Sequence, residues 1–111
     1  MIKYVANTML STKVAFLNEI YQICQKVDIK YDHIKKILSL DPRLVTSHWQ
    51  VPGHDGRFGF GGTCFPKDLN ALIRYSEQNG HSAPLLKAVW EKNIEVRPER
   101  DWEQDKGRAV V

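Results

Sequence analysis

Long apolar runs are missing from these 111 residues: none approaches the ~18 consecutive apolar positions that read as a membrane span. No basic leader with an apolar stretch and cleavage site opens the chain, so secretion is not expected. Cysteine is scarce. Cys24 and Cys64 are the whole supply, in unlike contexts and without a CxxC spacing. Two such residues do not make a disulfide scaffold, and reduced thiols in a cytoplasmic protein are the expectation. Charge of one sign is not in excess either. Sixteen Lys and Arg against thirteen Asp and Glu leave +3, with the basic residues scattered, so no nucleic-acid partner is expected. No strand alternation and no internal repeat is visible. Glycine and proline are few (7 and 5), which makes their clustering informative: five of the seven glycines fall between Gly53 and Gly62.

What is present reads as helix. The apolar share of 42% and charged share of 26% are those of a soluble globular domain. From Ile2 to about Val27, with no proline or glycine, Ile2, Val5, Met9, Phe16, Ile20, Ile23 and Val27 recur at helical spacings. Leu10, Val14, Leu17 and Cys24 add a second stripe. A helix apolar on two sides packs against several neighbours, another subunit among them. Lys3, Asn7 and Ser11 form a polar ridge at i, i+4 and i+8. That ridge is either a solvated face or a lysine and an amide presented together to a pocket. Asp32 is positioned to cap a helix carrying Ile34, Ile37 and Leu38. Asp41-Pro42 restarts a helical turn bearing Arg43, which is either a surface charge or a fork for a carboxylate or phosphate. From Thr46 to Phe60 both periodicities vanish. Helical spacing returns with Leu69, Leu72, Ile73 and Ser76 and ends at Asn79-Gly80. Ser82 is the expected cap of a last helix, with Pro84 in its first turn and Leu85, Leu86, Val89, Trp90 and Ile94 on its buried face; Pro98 ends it. The expected fold is all-α: about five helices around one long N-terminal helix, dimeric through that helix. Residues 1–97 form the domain and 98–111 a charged tail or linker.

The stretch Gly59 to Asp68 is the candidate site. Glycines permit a tight turn and close backbone approach, and Pro66 fits the first turn of a helix. Cys64 is thereby delivered to a helix start, with Lys67 and Asp68 on the same face at i+3 and i+4. Positive potential there favours an anionic, nucleophilic sulfur, and Lys67 acts in the same sense. Asp68 acts against it, a placement better suited to holding a water or moving a proton. A cysteine simply packed in a tight turn is the other reading. The glycine spacing matches neither a Walker loop nor a dinucleotide fingerprint. His48, His54, Asp55 and Cys64 match no zinc pattern, so no metal is expected.

Gly59-Phe-Gly-Gly-Thr-Cys64-Phe-Pro-Lys-Asp68 resembles the catalytic-cysteine signature of the UDP-glucose/GDP-mannose dehydrogenase family. Lys3-Tyr-Val-Ala-Asn7 and Asn18-Glu19 are similar to its central helix, and Asp41-Pro-Arg43 to the arginine segment that follows. The match runs in order over about residues 2 to 97. The resemblance implies oxidation of the C6 alcohol of a nucleotide sugar to a carboxylate with two NAD in succession. Cys64 would add to the aldehyde as a thiohemiacetal, and the thioester formed by hydride transfer would be cleaved by water. Lys3 and Asn7 would steady the oxygen on the reacting carbon, and Asp68 would orient water or relay protons. Arg43 would reach the substrate of the other subunit in a homodimer, and Phe60, Gly61 and Phe65 would line the sugar pocket. NAD would be bound by a separate domain of the family's longer chains, so the 111 residues alone are expected to be inactive. Two other readings stand beside this one: a helical dimerisation module with a vestigial cysteine motif, and a redox thiol protein pairing Cys64 with Cys24. The wording around Cys64 leans toward UDP-glucose, with GDP-mannose and UDP-N-acetylhexosamine as the other sugars of the family.

Overall fold

The computed structural model describes residues 1–105; residues 106–111 of the expected tail lie outside the described residues. Four α-helices account for the domain: α1 (Ile2–Lys26), α2 (Tyr31–Leu38), α3 (Cys64–Gln78) and α4 (Pro84–Val96). A 3-10 helix follows at Asp101–Asp105. No strand occurs among the described residues. At 1.5 Å per residue α1 is about 37 Å long, and α2, α3 and α4 all pack against it.

The inward face of α1 is not its greasiest. Thr8, Ser11, Ala15 and Asn18 are buried on it, together with Leu17 and Cys24. Small side chains let neighbouring helices approach closely, and two of the polar ones bond back to the helix, whereas the buried Thr8 hydroxyl has no partner. Ser11 Oγ donates to the Asn7 carbonyl (2.8 Å) and Asn18 Nδ2 to the Val14 carbonyl (2.8 Å). Of the two apolar stripes in the sequence, the second is the one turned inward, with Leu17 and Cys24 buried and Leu10 and Val14 half-buried, and from the first only Ile20 packs on a core cluster. Ile2, Val5, Met9, Phe16, Ile23 and Val27 face solvent.

Two apolar clusters flank α1. Ala15 meets Phe60, Leu69, Ile73 and Val89, with Val14, Phe65, Leu86 and Trp90 packed around them. Leu17 and Cys24 meet Tyr31, Trp49 and Val51, so the long irregular stretch 46–60 contributes to both cores. Tyr31 anchors this second cluster by donating its hydroxyl to the Trp49 carbonyl. Burial, with Asp32 and Cys24 adding to it, pushes the Tyr31 phenol up to about 12.

Among the described residues the α-helices number four where about five were expected, and three details differ from expectation. Asp41-Pro42 makes a single turn closed by the Leu44 N–H on the Asp41 carbonyl (3.1 Å). Leu40, Leu44 and Val45 are exposed there. Without a packed face the cost of nucleating a helix is not offset. Asp32 lies inside the first turn of α2, where its charge suits the dipole, and Lys30 takes the N-cap. Ala83, at φ 48°, precedes α4 in place of Ser82, and its N–H donates to His81 Nδ1 (2.9 Å). Leu85, expected in the core, is exposed. The end of α3 is as expected. Gly80, at φ 84°, follows Asn79, with the His81 N–H on the Ser76 carbonyl and the Gly80 N–H on the Glu77 carbonyl, a Schellman motif.

Candidate active site

The glycine loop 58–62 is held by polar side chains from three directions. From α1, Asn18 Oδ1 accepts the Gly59 N–H (3.0 Å). From α4, the Asn93 amide grips both sides of Phe60: Oδ1 accepts its N–H (2.7 Å) and Nδ2 donates to its carbonyl (2.8 Å). Asn93 is fully buried. Beyond α4, Asp101 Oδ2 accepts the Gly62 N–H (2.9 Å), and Arg97 donates through Nε to Asp101 Oδ1 (2.8 Å). The same guanidinium reaches the Phe58 carbonyl (3.1 Å) and Asp55.

These contacts explain two glycines. A Cβ at Gly59 would collide with Asn93 Oδ1, and the residue sits at φ 69° besides. A Cβ at Gly61 would collide with the Asp101 carboxylate and Arg97. The electrostatics are those of a closed network. Arg97 is 1% exposed. Burial would lower its pKa, but Asp55 and Asp101 outweigh that and raise it. Burial would push the Asp101 carboxyl up, yet the Gly62 N–H and Arg97 hold it below the usual carboxylate range. Asp55 is held low in the same way by Arg97 and the Arg57 N–H, against its own burial.

The loop ends by starting α3 at Cys64, whose side chain is exposed, whereas Cys24 is buried. One turn on, Asp68 is fully buried. Asn7 Nδ2 of α1 donates to Asp68 Oδ2 (2.6 Å). The other oxygen, Oδ1, has no hydrogen-bond partner, although the Lys67 ammonium stands 3.5 Å away. That separation is an ion-pair contact without hydrogen-bond geometry, which leaves Oδ1 as an acceptor beside the cysteine turn.

The structure therefore brings Asn7, Lys67 and Asp68 together at the turn of Cys64. Lys3 is exposed one turn before Asn7. Phe65 is half-buried between two rings, His48 at 5.7 Å and Phe60 at 6.1 Å. The Phe60 side chain points into the core, and the space that a side chain at Gly61 would take is filled by Asp101 and Arg97. Arg43 lies apart from this group. It is exposed and pairs with Asp41 through Nε (3.0 Å) and Nη2 (2.7 Å). Asn93, Arg97 and Asp101 were not singled out by sequence reasoning, and Asp55 was weighed there only as a metal ligand. One signal for them exists: Val89, Asn93 and Arg97 recur at i, i+4 and i+8, an amide and a guanidinium on the buried stripe of a helix.

Fold and site together define an all-α domain organised around a glycine loop that presents one exposed cysteine beside a buried carboxylate. The family profile described as "UDP-glucose/GDP-mannose dehydrogenase family, central domain" matches residues 1–95. The chain belongs to this family, as its central domain. It is 38% identical over 91 residues to UDP-glucose 6-dehydrogenase of Pseudomonas aeruginosa, covering 82% of this chain and 19% of that protein. It is 37% identical over 97 residues to UDP-glucose 6-dehydrogenase TuaD of Bacillus subtilis (87% and 20%) and 40% over 93 residues to YwqF of the same organism (84% and 20%). The chain thus spans about a fifth of the length of these relatives.

Proposed function

We propose that this domain carries the catalytic cysteine of a nucleotide-sugar 6-dehydrogenase of the UDP-glucose to UDP-glucuronate type. The supporting observation is the pairing of an exposed Cys64 at the start of α3 with a buried Asp68 one turn on, bound by Asn7 on one oxygen and without a hydrogen bond on the other. The names of the relatives supply the substrate class.

In this reading the Cys64 sulfur adds to the aldehyde carbon of the half-oxidised sugar, forming the C–S bond of a thiohemiacetal. The Asn7 amide has a second N–H beyond the one given to Asp68, and with Lys3 it steadies the oxygen on that carbon. After oxidation to the thioester, Asp68 Oδ1 accepts a proton from the water that cleaves it, and the sulfur leaves as thiolate. The oxidant would be NAD, which supplies hydride-accepting chemistry when bound. Among the described residues no strand–turn–helix phosphate cradle exists, so the residues present do not fit a dinucleotide. The cofactor belongs to another part of a longer protein, and the 111 residues alone should not reduce NAD.

The partner is a second copy of the chain. The exposed stripe of α1 from Ile2 to Val27 is too continuous for a solvated helix face, and a helix-to-helix dimer covers it. Arg43, extended on the surface, then reaches toward the other subunit's substrate, and Phe65 borders the sugar. The site of action is the cytoplasm, where the thiol stays reduced.

The test is NADH formation from UDP-glucose by the full-length protein containing this domain. Cys64→Ser should lower the rate about a thousandfold or more, as removal of a nucleophile does. A Cys64→Ser protein as active as the parent would overturn the reading.

A further inference from the structure

The family match ends at residue 95, yet the network that fixes the glycine loop is completed by residues beyond it. Arg97 is buried at the end of α4, and Asp101 joins it to the Gly62 N–H, two residues before Cys64. Trp102, 2% exposed, packs against Trp90 of α4 with ring centres 4.9 Å apart and planes inclined at 57°, and fixes the 3-10 turn that carries Asp101. This stretch begins the segment that reads in the sequence as a charged tail. Its Asp101 bonds the loop and its Trp102 packs on α4.

We propose that Arg97 and Asp101 are positioning residues for Cys64. The Gly62 peptide is the last but one before α3 begins, so its orientation sets where the sulfur of Cys64 points. An ionised Asp101 holds that peptide through a charge-assisted bond, and Arg97 holds Asp101 while tying Phe58 and Asp55 to the same point. Gly61 is then required because the two charged side chains occupy the space of its missing Cβ. Neither residue touches the reacting atoms; both act through the loop. The inference rests on the reading of Cys64 as the nucleophile, and it adds the segment after α4 to the machinery of that site.

The experiment compares the 111-residue chain with Asp101→Ala and Asp101→Asn, using Glu77→Gln, at the far end of α3, as a charge control. Two quantities are read: hydrogen exchange and the proton shift of the Gly62 amide by NMR, and the rate of Cys64 alkylation by iodoacetamide. The proposal expects Gly62 exchange to rise about tenfold or more in Asp101→Ala, the loss of one bond to a charged acceptor, with an upfield shift of its proton. It expects Cys64 alkylation to change about threefold or more, in either direction, as the sulfur leaves its set position. Asp101→Asn, which keeps an acceptor, should recover part of both. An alkylation rate that stays at the parent value in Asp101→Ala, with the helices still formed, overturns the proposal. Should Asp101→Ala fail to fold, the same comparison on Asp101→Asn decides: a parent-like amide shift and alkylation rate overturn it, altered ones support it. Failure of the dehydrogenase reading would appear elsewhere, as full NADH formation by the Cys64→Ser full-length protein, and would leave the amide readout standing.

Discussion

The two faces of α1 are built on opposite rules. The inner face carries Thr8, Ser11, Ala15 and Asn18, small or polar and buried. The outer face carries Ile2, Met9 and Phe16, which are 87%, 68% and 60% exposed. Hydropathy alone would invert them. The inner face is small and polar because it must admit α3 and α4 closely and still bond the glycine loop through Asn18 and Asp68 through Asn7. The outer face is left mostly uncovered by the rest of the chain and has the apolar composition of an interface core. The comparison separates residues that make the site from residues that would make the proposed dimer, and substitutions on each side should fail in different ways.

The largest effect belongs on the site side. Arg97→Ala removes a buried guanidinium with its bonds to Asp101, the Phe58 carbonyl and the half-exposed Asp55, and losing hydrogen bonds of this charged kind costs about 3–5 kcal/mol in all. Urea unfolding of the variant should show a loss of that size; a loss under about 1 kcal/mol would mean that water replaces the guanidinium at little cost. Asn93→Ala comes next. It leaves the buried Phe60 N–H without its acceptor and the Phe60 carbonyl without its donor, for about 2–4 kcal/mol in all.

Acid should weaken the same side first. Asp55 and Asp101 have folded-state pKa values below their ordinary ones. Their contribution is therefore present above the ordinary carboxylate range near pH 4 and is lost as pH falls through the depressed folded values. An unfolding series from pH 6 to pH 2 should show this decline in the parent, and a shallower one in Asp101→Asn. On the assembly side, Phe16→Glu should change the unfolding free energy of the monomer by no more than about 0.5 kcal/mol, because the ring is already in water. Its effect should appear in light scattering instead, as a dimer turned into a monomer. A monomeric parent chain would sink the interface reading of the outer face.

Much of this architecture is legible in the residues. Helical spacing places α1, α3 and α4, Pro84 and Asn79-Gly80 mark two boundaries, and the stretch from Gly59 to Asp68 announces a site. Periodicity cannot say which of two apolar stripes faces inward, since that depends on what packs against the helix. It also overstates short segments: Asp41-Pro42 has the capping chemistry of a helix start but no apolar face to hold one. The loop network escaped for a related reason. Asn18, Asn93, Arg97 and Asp101 have ordinary local contexts, and their meaning comes from partners 33 to 41 residues away. Asp101 sits where composition suggests only a charged tail, and Arg97 at the last position before it.

The most direct measurement uses the two cysteines of one folded chain against each other. Under native conditions at neutral pH, timed iodoacetamide labelling followed by peptide mass spectrometry reads Cys64 and Cys24 in the same sample. A sulfur aimed outward by a locked glycine loop should be labelled at Cys64 about a hundredfold faster than at the buried Cys24, with the gap closing in denaturant. Equal native rates, or Cys24 reacting first, would contradict the claim that the loop exists to present Cys64.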